Sequence, residues 1–122
     1  MAKTILVIDD SASLRQLVRL TLQAAGYDCL EADDGLTALA KLDGRKIHLA
    51  VCDVNMPGMD GITFVGQART RAAYKFLPVI MLTTESQQAK KDAGKAAGAR
   101  AWIVKPFSPP QLLDAVSKLC LP

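Results

Sequence analysis

The chain has 122 residues, of which 50% are hydrophobic and 22% are charged, and its formal net charge is +3 at pH 7. This composition indicates one globular domain with a proper core and excludes a disordered chain. No apolar run approaches the ~20 residues of a membrane-spanning helix, and the charge is too mild to predict nucleic-acid binding. No secretory signal precedes the first apolar run, and the three cysteines are widely separated. These features predict a reducing, cytoplasmic location.

Strands and helices are predicted in regular alternation. Short apolar runs typical of buried strands occur at 5–8, 29–32, 47–52, 79–82 and 101–104. Helical patterns follow them at about 11–26, 35–43, 62–71, 85–97 and 109–119. The first helix has two candidate caps, Ser11 and Ser13, and ends before Gly26, while Ser108 followed by Pro109 opens the last helix. This alternation predicts βαβ units, and hence an α/β fold with a parallel sheet covered on both faces.

Charged and polar residues follow four of these strands. Asp9 and Asp10 follow the first strand, Asp53 the third, Thr83 the fourth and Lys105 the fifth. Because functional crevices in open α/β sheets lie at the carboxyl ends of the strands, we expect these residues at one edge. Neighbouring carboxylates oppose each other's ionisation, which predicts a divalent cation or a basic side chain among them and a site that handles phosphate. An Asp-Asp pair alone would more often be a turn or a helix cap.

Four motifs, in this order, resemble the receiver domain of bacterial two-component response regulators. They are Ile8-Asp9-Asp10-Ser11, Asp53-Val54-Asn55-Met56-Pro57-Gly58-Met59-Asp60-Gly61, Leu82-Thr83-Thr84-Glu85 and Val104-Lys105-Pro106-Phe107. The resemblance covers essentially the whole chain and is greatest to the single-domain chemotaxis type, CheY. It implies a flavodoxin-like (βα)5 doubly wound sheet of five parallel strands in the order 2-1-3-4-5. We therefore expect residues 1–122 to form one receiver domain without an output domain.

The resemblance also implies a phosphoacceptor and its metal ligands. Asp53 would attack a phosphohistidine and form an aspartyl phosphate, for which a carboxylate is a competent nucleophile. Asp10 and Asp53 would bind Mg²⁺ directly, Asp9 would act mainly through bound water, and the backbone carbonyl of Asn55 would complete the set. Mg²⁺ suits this role because it prefers oxygen ligands and is commonly held by one or two carboxylates together with phosphate.

Three further residues have roles implied by the resemblance. Lys105 would pair with Asp53 at rest and with a phosphoryl oxygen afterwards, and its bond to Pro106 would be cis. The Thr83 hydroxyl would bond to the phosphoryl group and report its presence. Trp102 stands where the family usually has a Tyr or Phe that switches rotamer. Since indole is larger and rarely buries completely, we expect its inward rotation towards Thr83 to be harder.

The expected function is a phosphorylation-activated signalling switch. It would receive a phosphoryl group from a sensor histidine kinase and regulate a protein target of the chemotaxis or flagellar-motor type, as a monomer. The only chemistry it would catalyse is its own phosphorylation and autodephosphorylation. The pairing of Asn55 with Glu85, at positions bordering the path of the hydrolytic water in the family, resembles chemotaxis regulators with short-lived signals.

The resemblance places the output surface on the helix at 85–97, the strand at 101–105 and the last helix. Five basic residues would favour an acidic protein segment there, namely Lys90, Lys91, Lys95, Arg100 and Lys118. A phosphorelay shuttle or phosphate sink between histidine phosphotransfer proteins is an alternative that the sequence separates poorly from a switch. A Mg²⁺-dependent phosphohydrolase is disfavoured because it needs a D-x-D spacing, and a constitutive binding domain because the phosphate-responsive residues are all present.

Overall fold

The computed structural model describes residues 2–84 and 88–120, and for residues 88–91 it describes the backbone alone. The strands are β1 (Thr4–Ile8), β2 (Asp28–Ala32), β3 (Leu49–Asp53), β4 (Val79–Thr84) and β5 (Ala101–Lys105). The helices are α1 (Ala12–Ala24), α2 (Gly35–Lys41), α3 (Gly61–Arg69), α4 (Gln88–Ala97) and α5 (Pro109–Leu119). A short 3₁₀ turn that was not predicted, Ala72–Tyr74, lies between α3 and β4. The predicted alternation is confirmed, and the part of the predicted fourth helix at 85–87 lies outside the described residues.

All five strands are parallel and lie in the order β2-β1-β3-β4-β5. The flavodoxin-like arrangement that the resemblance implied is therefore confirmed. The strand register decides which side chains meet at the carboxyl edge. Ile8 lies beside Cys52, so the next residues, Asp9 and Asp53, leave the sheet at the same level. Among the described residues, no helix is long and apolar enough to cross a membrane.

The sheet separates two apolar layers. Alternate residues of β1 face opposite sides, with Leu6 and Ile8 in one layer and Ile5 and Val7 in the other. The first layer packs under α2, α3 and α4, and the second packs under α1 and α5. Because β3 lies in the middle of the sheet, all of its residues are buried. This central position holds the end of β3 between both layers.

Local hydrogen bonds determine where the elements begin and end. The Ser11 hydroxyl caps α1 by accepting the N–H of Leu14, which decides between the two candidate caps. Ser108 caps α5 as predicted. Asp34 and Asp60 cap α2 and α3, which sequence analysis did not identify.

The third strand begins two residues later than predicted. The Nδ1 atom of His48 accepts the backbone N–H of Thr4 at 3.0 Å, so an imidazole takes the place of a backbone carbonyl at this point. The backbone N–H of His48 in turn donates to the Thr4 carbonyl at 2.8 Å, and the strand pairing of β3 with β1 begins at Leu49, which lies beside Ile5. His48 is thus a packed residue at the start of the strand rather than a residue within it.

Candidate functional site

Three carboxylates meet at the carboxyl edge of the sheet. Asp9, Asp10 and Asp53 each offer an oxygen atom, and these atoms lie within 4.8 Å of one another. Asp9 and Asp53 are buried, and Asp10 is exposed. Burial raises the pKa of Asp53, the negative charge of Asp9 raises it further, and Lys105 opposes both effects. Crowded carboxylates of this kind provide the hard oxygen ligands that a divalent cation prefers.

Lys105 is shared between the two buried carboxylates. Its Nζ atom lies 3.2 Å from Asp53 Oδ1 and 3.4 Å from Asp9 Oδ2. The sequence predicted contact with Asp53, whereas the contact with Asp9 was not anticipated. The peptide bond between Lys105 and Pro106 is cis, as the resemblance implied. One ammonium group cannot neutralise three carboxylates, so the cluster keeps a negative charge that attracts a cation.

The loop after β1 holds Asp9 through both its side chain and its backbone. Asp9 Oδ1 accepts the N–H of Ser11 at 2.8 Å. Its own N–H donates to the carbonyl of Ala32 at 3.1 Å, and its carbonyl accepts from Arg15 Nη1 at 2.7 Å. Sequence analysis missed Arg15. Its position one turn after the cap Ser11 was the available signal, because a long side chain there can reach back over the loop.

The end of β3 is packed closely against the start of α3. Gly61 donates its N–H to the carbonyl of Val54 at 2.9 Å. A Cβ atom at Gly61 would overlap the carbonyl oxygen of Asp53, so this approach requires glycine. Asn55 is exposed, and its N–H donates to Asp53 Oδ1 at 3.4 Å. Asn55 therefore lies next to the carboxylate cluster, and the metal-binding role of its carbonyl stays a prediction.

Thr83 is fully buried near the same edge of the sheet. Leu82 is the register partner of Asp53 on β4, and Thr83 follows it. The Thr83 hydroxyl donates to the carbonyl of Thr84 at 3.4 Å, which is a long hydrogen bond. Thr84 itself is exposed. The structure thus places Thr83 one residue beyond the level of Asp53, and its role as a phosphate sensor stays a prediction.

Trp102 lies on β5 beneath α4. Its side chain is partly buried against the layer under α2, α3 and α4. A Cβ atom at Gly94 would overlap the indole Cζ3 atom, so glycine at this position of α4 makes room for the ring. A cavity of about 230 Å³ adjoins the indole and is lined also by Lys95, Ala99, Arg100 and Ala101.

The indole nitrogen of Trp102 is buried and has no hydrogen-bond partner among the described residues. The expectation that inward rotation of the indole towards Thr83 is harder stays a prediction. Glu85, which sequence analysis paired with Asn55, lies outside the described residues.

Comparison with known proteins identifies the family. Residues 5–117 match the response regulator receiver domain. The chain is 40% identical over 112 residues to the chemotaxis protein CheY1 of Helicobacter pylori, covering 90% of each sequence. It is 38% identical over 116 residues to the chemotaxis protein CheY-3 of Vibrio cholerae, covering 94% of this chain and 89% of that protein. The solved structure of Vibrio cholerae CheY4 superposes with a TM-score of 0.93 at 46% identity, over 98% of this chain and 99% of that one. The chain therefore belongs to the receiver domains of two-component response regulators, and it is of the CheY-like type.

Proposed function

We propose that this protein is a chemotaxis-type signalling switch in which Asp53 accepts a phosphoryl group from a sensor histidine kinase. Membership of the receiver family supports a phosphorylation-activated switch. The observation that carries the residue assignment is the cluster of Asp9, Asp10 and Asp53, with Lys105 bound between the two buried carboxylates. The target type is supported by relatives that are themselves named chemotaxis proteins.

Asp53 would act as the nucleophile. One of its carboxylate oxygens attacks the phosphorus atom of a phosphohistidine, an O–P bond forms, the N–P bond breaks, and the imidazole leaves with the electron pair. Asp9, Asp10 and Asp53 would hold Mg²⁺ together with the Asn55 carbonyl. When bound, that ion supplies positive charge for the phosphoryl oxygens. In this scheme the protein's own phosphorylation and dephosphorylation are the only reactions that it promotes.

Lys105 would change partners during the reaction. At rest its ammonium lies between Asp53 and Asp9. As Asp53 becomes phosphorylated, the ammonium can follow the negative charge to a phosphoryl oxygen while it keeps its contact with Asp9. A compact ammonium on a flexible stem is suited to such a change. The hydroxyl of Thr83 would then turn from the Thr84 carbonyl to the phosphoryl group.

The output surface would be the face of α4, β5 and α5, and its target an acidic protein segment. Lys95 and Arg100 line the cavity beside Trp102 and give it positive charge. Lys118 contributes less than expected, because it is paired with Asp114 at 3.0 Å on α5. The side chains of Lys90 and Lys91 lie outside the described residues. This surface would act in a cytoplasmic monomer that binds protein rather than nucleic acid.

The test is phosphorylation by a small phosphodonor such as acetyl phosphate, followed by intact mass spectrometry. We expect a single phosphoryl group in the presence of Mg²⁺ and none when the metal is chelated. Asp10→Asn should need more Mg²⁺, whereas Asp114→Asn, an exposed carboxylate on α5, should behave as the wild type. Equal labelling with and without the chelator would contradict the proposal.

A further inference from the structure

Arg15 connects the carboxylate cluster to the neighbouring strand. It is the fourth residue of α1, and its side chain is 19% exposed. The Nη1 atom donates to the carbonyl oxygen of Asp9 at 2.7 Å, and the Nε atom donates to Glu31 Oε1 at 3.1 Å. Glu31 lies on β2 beside Val7 of β1. One guanidinium therefore joins the end of β1, the start of α1 and the adjacent strand.

A second arginine binds the same glutamate but does not share this geometry. Arg19 lies one turn further along α1, and its Nε atom is 3.2 Å from Glu31 Oε2. That contact is an ion pair without the alignment of a hydrogen bond. Of the two arginines, Arg15 alone has a hydrogen bond to Asp9 in the described part of the chain. The two arginines thus offer a natural control, because they share a helix and the partner Glu31 but only Arg15 also binds the Asp9 backbone.

The hydrogen bond from Arg15 acts on the backbone of Asp9. The backbone N–H of Asp9 is held by the Ala32 carbonyl, its backbone carbonyl is held by the guanidinium, and its carboxylate faces Lys105. A charge-assisted hydrogen bond of 2.7 Å is short and strong. Its other donor is fixed by Glu31, so the guanidinium cannot swing away without losing both contacts. Planar, multiple donors make arginine suited to such a bridge in a way that lysine is not.

We infer that Arg15 is a positioning residue for the cation site, because it fixes the peptide from which Asp9 and Asp10 extend towards Asp53. It acts through the backbone of Asp9, without a hydrogen bond to the carboxylates of the cluster. Outer residues that orient metal ligands typically contribute 10- to 100-fold to metal affinity. This inference rests on the proposed binding of Mg²⁺. It assigns to Arg15 an effect on the affinity for the metal that is separate from its effect on the stability of the fold.

The experiment is a Mg²⁺ titration of the full chain without any phosphodonor. Binding is monitored through the ¹H–¹⁵N NMR signals of the backbone amides of Asp10 and Asp53. Arg15→Gln is compared with Arg19→Gln, and thermal melts of both are recorded in the absence of Mg²⁺. We expect Arg15→Gln to weaken Mg²⁺ binding by about 10-fold. Arg19→Gln should change it by less than about 2-fold, although both substitutions remove a contact with Glu31.

A second pair of variants, Arg15→Lys and Arg19→Lys, tests the inference if Arg15→Gln does not fold. Arg15→Lys keeps the charge, but all its N–H donors lie on one nitrogen atom, so it cannot reach Asp9 and Glu31 from two nitrogens as the guanidinium does. It should therefore weaken Mg²⁺ binding relative to Arg19→Lys. Equal dissociation constants within each pair would overturn the inference while leaving the proposed function intact. A wild-type protein that binds no Mg²⁺ would overturn both, so the two failures are distinguishable.

Discussion

The central strand β3 and the edge strand β5 deliver opposite charges to the same site from very different surroundings. Every residue of β3 is buried, and the strand ends in Asp53. On β5, Ile103 is the one residue of the strand that is buried, and Val104 is 38% exposed. That strand carries Trp102 and ends in Lys105. The proposed acceptor therefore lies on a fully buried strand, whereas Trp102 and Lys105 lie on a strand whose residues are mostly only partly buried.

This difference suits a switch. Segments with few buried contacts open and rearrange at a lower free-energy cost than central strands. A phosphoryl group on Asp53 can shift the conformation only if it interacts differently with two states of the protein. Lys105 and Trp102 lie on an edge strand, whereas β3, which ends in Asp53, is paired with β1 on one side and with β4 on the other. The account predicts that substitutions on the two strands have different consequences.

The largest effect on stability and on phosphorylation is expected on removing the Lys105 ammonium group, which Asp9 and Asp53 share. Lys105→Met leaves Asp9 and Asp53 buried without their common partner, which should lower the free energy of unfolding by about 3 kcal/mol. It also removes positive charge from the phosphoryl oxygens, so labelling by acetyl phosphate should slow by about 100-fold. Thermal melts and timed mass spectrometry measure the two effects.

Lys118→Met is the matched control for this substitution. Lys118 pairs with Asp114 on the surface of α5, with 71% of its side chain exposed, so its loss should cost less than about 0.5 kcal/mol and leave labelling unchanged. If Lys105→Met and Lys118→Met behave alike, the edge strand does not supply a functional charge.

The next effect concerns the space beneath α4. Gly94→Ala should push the indole of Trp102 outward, since the added methyl group would overlap it. We expect a loss of stability of about 1–3 kcal/mol, as for other overpacked sites. Tryptophan emission should move to longer wavelength, and the signal is unambiguous because the chain has a single tryptophan.

Gly66→Ala provides the comparison on α3. A Cβ atom there would meet nothing within 4 Å. Alanine should stabilise that helix by about 0.5–1 kcal/mol without altering the emission. Equal stability and equal spectra for the two variants would show that α4 does not confine the ring.

The smallest effect is the cost of keeping Asp53 charged. Burial and Asp9 raise its pKa in the folded protein, so the folded state binds more protons between the ordinary value of 3.8 and the raised value. The free energy of unfolding must then fall as the pH rises through that interval. Asp53→Asn should therefore be more stable than the wild type at pH 7.

That gain should disappear below the ordinary pKa, where both proteins are uncharged at this position. Chemical denaturation at pH 7 and at pH 3 measures it, with Asp114→Asn as the exposed control. A destabilised Asp53→Asn at pH 7 would mean that Lys105 more than compensates the charge, and that the resting cluster is not under electrostatic stress.

Much of the fold and of the site was accessible from the sequence because the signals are local. Apolar runs that end in Asp9, Asp53 and Lys105 identify buried parallel strands and the edge where they meet. The helix starts at Ser108 and Pro109 and at Ser11 follow from capping chemistry, although choosing Ser11 over Ser13 needed coordinates.

Contacts between distant parts of the chain were not accessible in the same way. Lys105 binds Asp9 across 96 positions, and no periodicity encodes that distance. The space that Gly94 leaves for the indole ring can be recognised only once α4 lies over Trp102. In a sequence, a glycine within a helical pattern normally signals nothing more than reduced helix propensity. The hydrogen bond between the His48 imidazole and the Thr4 N–H, next to the start of β3, joins residues 44 positions apart. Each of these features is a property of tertiary packing rather than of a sequence pattern.

The central claim is that the carboxylate at the end of the buried strand β3 is the phosphoacceptor. The most direct measurement is site-resolved mass spectrometry after treatment with acetyl phosphate and Mg²⁺, comparing the wild type with Asp53→Asn and with the control Asp114→Asn. The account predicts one phosphoryl group on Asp53 in the wild type and in Asp114→Asn, and none in Asp53→Asn. Undiminished labelling of Asp53→Asn would contradict it.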